Sequence, residues 1–146
     1  MLELKRILFI EDNVNDVELT LSALASVNLA NSVDVVADGV EALDYLHFRG
    51  RFTERPKGYP VVVILDLKLP RVSGLEVLKE IRGDPKLIHL PVVILTSSRE
   101  EKDIITGYAL GANAYVIKPI DFKAFALAIK ELGSFWAIIN EAPPKH

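Results

Sequence analysis

With 146 residues, no cysteine and a formal net charge of −3, the chain suits one domain with one sizeable core. The missing cysteines exclude disulfides, thiolate metal centres and a cysteine nucleophile, and the acidic balance argues against broad electrostatic binding to nucleic acid. Half the residues are apolar, yet the apolar runs are too short to span a bilayer and the Met1–Arg6 start carries no secretory pattern. A cytoplasmic protein without membrane attachment is expected.

Ile7-Leu8-Phe9-Ile10 reads as a first strand that ends in the acidic pair Glu11-Asp12. From Asn13 to Val27, Val14, Val17, Leu21 and Leu24 recur at helical spacing, and Asp16 and Glu18 favour the helix start. Ser32–Ala37 is a second strand, and Asp38-Gly39 opens a helix with Val40, Leu43 and Leu46 on its apolar side. Residues 49–60 carry three Arg and one Lys against one Glu, and read as a solvated loop. Val61–Leu65 is the centre of the pattern. Five apolar residues, four of them β-branched, run into Asp66 and are stopped by Leu69-Pro70, as in a strand buried on both faces.

Ser73 is placed to cap a helix reaching about Arg82, with Leu75, Leu78 and Ile81 inward. Pro91–Thr96 repeats the central pattern of an apolar run closed by one polar residue. Arg99–Leu110 is a weaker helix, because Thr106 and Gly107 lower its propensity, and Gly111 suits its carboxyl cap. Ala114–Ile117 is a fifth strand, ending at Lys118-Pro119. The last helix extends from about Asp121 to Asn140. Its expected inward stripe is Phe122, Phe125, Ile129 and Leu132, which leaves Leu127, Phe135, Trp136, Ile138 and Ile139 unassigned; Pro143-Pro144 follows in the tail. An apolar helix end of this kind predicts burial against another surface.

Five strands alternating with five helices imply a parallel sheet covered on both faces, with right-handed crossovers. The fold class is therefore α/β, a doubly wound three-layer sandwich, and the flavodoxin-like order 2-1-3-4-5 suits five strands best. Four strands end in a polar group: Glu11-Asp12, Asp66, Thr96 and Lys118. In this architecture those ends can meet in one crevice. Carboxylates ~4 Å apart repel by about 4 kcal/mol at an effective dielectric near 20, and one lysine does not offset them. Mg²⁺ is the natural occupant of such an oxygen-rich site. A carboxylate beside it can attack phosphorus and form an acyl phosphate, with Lys118 and Thr96 holding phosphoryl oxygens. His47, His89 and His146 have no ligand spacing.

These residues resemble the receiver domain of two-component response regulators (CheY-like) over about residues 5–132. The likeness is carried by Glu11-Asp12, the segment from Asp66 through Leu69-Pro70 to Gly74, Thr96-Ser97, and Tyr115-Val116-Ile117-Lys118-Pro119. The resemblance implies that Asp66 accepts a phosphoryl group from a histidine of a sensor kinase. It also implies Mg²⁺ held by Glu11, Asp12, Asp66 and the Lys68 backbone carbonyl, a switch pair Thr96 and Tyr115, and a cis bond before Pro119. Glu11 stands where many receivers have Asp, and Ser73 where Asp is frequent. Lys68 and Ser98 occupy variable positions that set the phosphoryl lifetime.

The 49–60 loop and Phe135-Trp136 resemble stand-alone receivers that partner phytochrome-type kinases. The 14 residues after Leu132 are too few for a DNA-binding effector domain, so output by protein contact is expected, and the resemblance implies a homodimer using the C-terminal region. Such a domain is no enzyme beyond catalysing its own phosphorylation and dephosphorylation. A receiver that binds partners without phosphorylation is the alternative reading. A haloacid-dehalogenase-type phosphatase would need a second Asp where Lys68 stands. A flavodoxin-like cofactor binder would need a phosphate cradle where Glu11-Asp12 would repel phosphate.

Overall fold

The computed structural model describes residues 5–141; the Met1–Leu4 start, Pro143-Pro144 and His146 lie outside the described residues. Strands β1 (Ile7–Ile10), β2 (Val33–Val36), β3 (Val62–Leu65), β4 (Val92–Thr96) and β5 (Ala114–Ile117) are all parallel, in the order β2-β1-β3-β4-β5. Between and after them run α1 (Val14–Ala25), α2 (Gly39–Leu46), α3 (Gly74–Gly83), α4 (Glu101–Ala109) and α5 (Phe122–Ser134). Strands β1, β3 and β4 are buried along their whole length. Their continuous apolar runs therefore read as two-faced strands rather than alternating ones.

Alternate residues of each strand feed two cores. Leu8, Ile10, Val63, Leu65, Val92 and Ile94 meet Tyr45 and Leu46 of α2 and Val77, Leu78 and Ile81 of α3. Ile7, Phe9, Val62, Ile64, Val93 and Leu95 meet Ala23 and Leu24 of α1 and Phe125 and Ile129 of α5. Each fully buried Leu or Ile contributes about 1.5–3 kcal/mol, so Ile64→Ala at the sheet centre should cost 2–5 kcal/mol or so. Among the described residues no helix is long and apolar enough to cross a membrane.

The helix starts follow from short polar residues. Asn13, Asp38, Ser73 and Asp121 each accept a hydrogen bond from the amide three residues on, capping α1, α2, α3 and α5. Each such cap is worth about 1 kcal/mol. Because every crossover returns to the same edge of the sheet, these caps ring the carboxyl ends of the strands.

Three expectations need correction. Val14 and Phe122 are 69% and 71% exposed rather than inward. Each leads its helix at the carboxyl edge of the sheet, where no strand remains to cover it. Trp136 is not left over: it packs against the α1–α5 core, and Ala137 beyond it is buried. After Ser134 the chain winds as a π-helical turn, Phe135–Ile139, which turns Trp136 and Ala137 inward and leaves Phe135, Ile138 and Ile139 out. The core thus reaches past Leu132. The bond before Pro119 is trans, as are all described peptide bonds; trans is the intrinsically favoured isomer, and Lys118 reaches its carboxylate partners from it.

The loop at 49–60 is solvated along most of its length, as expected, yet it is also folded. The Arg55 guanidinium lies between the rings of Tyr45 and Phe48, 4.0 and 3.8 Å from their centroids. It donates to the carbonyls of Tyr45, Pro56 and Gly58. Arg51 pairs with Glu41 at 2.9 Å and Arg49 with Asp44 at 3.5 Å. Arg49 and Arg51 thus lean on α2, while Lys57 lies 5.3 Å from the centre of the Phe48 ring.

Candidate functional site

Each residue at the centre of the crevice is fixed by one backbone hydrogen bond beyond its strand. The Glu11 amide donates to Val36 O at 3.0 Å, the Asp66 amide to Ile10 O at 3.1 Å, and the Lys118 amide to Thr96 O at 2.8 Å. The ladder thus continues one residue further, and the next side chain is held on a rigid support. Behind Asp66 the first turn of α3 presses close. A Cβ on Gly74 would lie 2.2 Å from the Asp66 carbonyl oxygen, so only glycine fits there. The loop between them is tied to α2 by Arg71, which donates twice to Asp38.

Lys118 is the hub. Its Nζ donates to Glu11 Oε1 at 2.6 Å, Asp16 Oδ2 at 2.8 Å and Asp66 Oδ2 at 3.1 Å. Burial disfavours the ammonium, but the bonds to Asp16 and Glu11 and the charge of Asp66 outweigh it and hold its pKa above the ordinary lysine value. Burial pushes the Glu11 carboxyl up to about 7, and the nearby Asp66 charge adds to the shift while Lys118 opposes it. Glu11 and Asp66 are buried and Asp12 is exposed. One carboxylate oxygen from each of the three lies within 4.8 Å of the others. This cluster of hard oxygen donors, open on the Asp12 side, fits a divalent cation of the Mg²⁺ kind. Lys68 turns its side chain to solvent, and its amide lies 3.4 Å from Asp66 Oδ1.

Thr96 is fully buried at the end of β4, and its hydroxyl accepts from the Ser98 amide at 3.4 Å. The Tyr115 hydroxyl donates to the Ser98 carbonyl at 3.0 Å. Its ring stands beside Gly107 of α4, where an added Cβ would come within 3.4 Å of it. Gly107 therefore does more than weaken α4: the tight neighbour is Ile94, whose Cδ1 would lie 2.8 Å from an added Cβ, so the glycine lets α4 lie close on β4. Ser98 in turn donates to Asp103 of α4 at 2.6 Å.

The structure brings Glu11, Asp12, Asp66, Thr96 and Lys118 to one edge, with Tyr115 on the far side of Ser98. Sequence reasoning assigned Asp16 only to helix stabilisation and missed its bond to Lys118. The available signal was its spacing, one helical turn after Asp12. The Ser98–Asp103 bond left no comparable mark in the sequence. His47 lies 3.8 Å from Asp84, away from the crevice.

Residues 7–130 match the family model of the response regulator receiver domain, and the chain belongs to that family, a signalling domain of two-component systems. It is 35% identical to the response regulator Rcp1 of Synechocystis, over 90% of this chain and 88% of that one. The Mn²⁺-bound form of Rcp1 superposes with a TM-score of 0.88 at 34% identity, covering 96% of this chain and 99% of that chain. The phosphorylated cyanobacterial phytochrome response regulator RcpA gives 0.89 at 36% identity, covering 97% and 100%. The bacteriophytochrome response regulator AtBRR is 56% identical with a TM-score of 0.76, covering 96% and 100%.

Proposed function

We propose that the whole chain acts as one receiver unit in the cytoplasm, taking a phosphoryl group on Asp66 from the phosphohistidine of a phytochrome-type sensor kinase. The observation that carries this reading is the Asp66 carboxylate, 3.1 Å from Lys118 Nζ and with oxygens of Glu11 and Asp12 beside it. An Asp66 oxygen attacks phosphorus and a P–O bond forms. The P–N bond to the histidine breaks, its electron pair stays on the imidazole nitrogen, and that nitrogen takes a proton from water. Lys118 would bond one phosphoryl oxygen by giving up one of its carboxylate partners, and the Thr96 hydroxyl would bond another by turning from the Ser98 amide. Glu11, Asp12, Asp66 and the Lys68 carbonyl would hold Mg²⁺, whose charge compensates that of the incoming phosphoryl group. The Mn²⁺-bound and phosphorylated relatives support both parts.

Thr96 turning toward the phosphoryl group would release the Ser98 amide, and Ser98 passes that change to Tyr115 and, through Asp103, to α4. Output is by protein contact. Exposed Leu127, Phe135, Ile138 and Ile139 form an apolar face that suits a homodimer, the commonest closed assembly; light scattering on wild type and Ile138→Glu tests it. For the central reading, the protein is incubated with acetyl phosphate and Mg²⁺ and weighed. One phosphoryl adduct is expected, absent in Asp66→Asn; an adduct that persists in that variant overturns the assignment.

A further inference from the structure

We propose that Asp16 is a positioning residue of the phosphoryl-accepting site, a tether that restrains Lys118 until the phosphoryl group arrives. The inference rests on the reading that Asp66 is the acceptor and Lys118 grips what it accepts. An ammonium has three N–H donors, and here all three are spent on carboxylates: Glu11, Asp16 and Asp66. A phosphoryl oxygen can bind Lys118 only if one of those bonds is given up.

The three acceptors differ in what else they do. Glu11 and Asp66 share the converging oxygen set with Asp12, and Asp16 is not part of it. Asp66 holds the longest of the three bonds, and its oxygens lose negative charge once esterified. Asp16 keeps its full charge throughout. Its place is set by α1 rather than by the crevice, since its amide is bonded to the Asn13 side chain at 3.0 Å. Lys118 moving out over phosphorus therefore strains its bond to Asp16, a charge-assisted and partly buried bond at 2.8 Å. The competing role is that of a plain first-turn acid stabilising α1. That role predicts a slightly weaker helix and no change in the rate of phosphorylation.

The test measures phosphorylation by acetyl phosphate in Asp16→Asn, which keeps the shape and a hydrogen-bond acceptor but not the charge. The expected rate is about three- to tenfold above wild type, since part of one charge-assisted bond no longer has to be lost on the way to the transition state. Mg²⁺ affinity by calorimetry stays within about twofold, and Asp16→Glu returns the rate toward wild type. A tether must act through Lys118, so the gain vanishes in a Lys118→Ala background. It also survives 1 M salt, where the Debye length of about 3 Å screens any plain charge effect on the anionic donor. This second arm decides if Lys118→Ala takes up too little phosphoryl to time. An unchanged or slower Asp16→Asn, or a gain that persists without Lys118 or disappears in salt, overturns the tether. If wild type takes no phosphoryl group, or Asp66→Asn still does, the acceptor reading itself has failed.

Discussion

Lys118 and Arg55 are cations drawn into the protein at opposite ends of the sheet, and they are held by opposite means. Lys118 sits among three carboxylates, which raise its pKa against the cost of burial. Among the described residues no carboxylate lies within salt-bridge reach of Arg55; two aromatic faces and three carbonyls hold it, and burial lowers its pKa. One of its terminal nitrogens, Nη2, is buried without a hydrogen-bond partner. A cation held by charges can be released when the charges change. A cation held by rings and carbonyls has no such alternative, so it serves to fix a loop. The contrast separates a working end of this molecule from a structural end.

The sharpest test of that separation is loss of function without loss of fold. Lys118→Ala should reduce phosphorylation by acetyl phosphate about 10²-fold, the usual loss for removing one donor to a developing oxyanion. A rate within threefold of wild type would mean that Lys118 is not the phosphoryl grip. The working end should also respond to metal. Mg²⁺ at one hundred times its Kd should raise the unfolding free energy by about 2.7 kcal/mol, an increment mostly lost in Asp12→Asn. Urea titrations with Mg²⁺ and with chelator measure it.

At the structural end the pattern reverses. Arg55→Ala should cost about 2 kcal/mol in urea denaturation, from two cation–π contacts near 1 kcal/mol each. Phosphorylation should stay within about twofold of wild type. Arg55→Lys should recover less than half, because an ammonium cannot stack flat between two rings. Full recovery with lysine would mean that charge rather than shape holds the loop.

The smallest effect is in pH, and the two ends should answer with opposite sign. Folded Glu11 keeps its proton up to about 7, against 4.5 for the free side chain. The metal-free fold therefore holds its full contribution below about 4.5 and loses it as pH rises toward 7. Asp34 is the counterpart. Burial acts against its charge, but bonds from Arg6 and Tyr45 prevail and lower its pKa. Its contribution is complete above the ordinary 3.8 and is lost as pH falls through the lowered value. Stability curves with chelator should lose their neutral-side slope in Glu11→Gln and their acid-side slope in Asp34→Asn. Unchanged slopes in both would remove the electrostatic part of the comparison.

The residue pattern alone leaves the strand order a choice between two common arrangements, but the order of elements and the polar strand ends of the crevice can be read from it. Those depend on local rules: uninterrupted apolar runs, helix starts at Asn13, Asp38 and Asp121, a capping residue at Ser73, and polar residues at strand ends. What depends on where a helix ends up against its neighbours became visible once the elements were packed. Asp16 looks like any first-turn acid until α1 packs against α5 and its carboxylate meets Lys118 past the end of β5. Arg55 looks like loop charge until Tyr45 and Phe48 close around it. Val14, Phe122 and Trp136 carry the right hydrophobicity for a core, yet two are exposed and one is half-buried against it. Periodicity gives the face of a helix, but not how far the sheet beneath it extends, nor the extra residue that a π-turn inserts after Ser134.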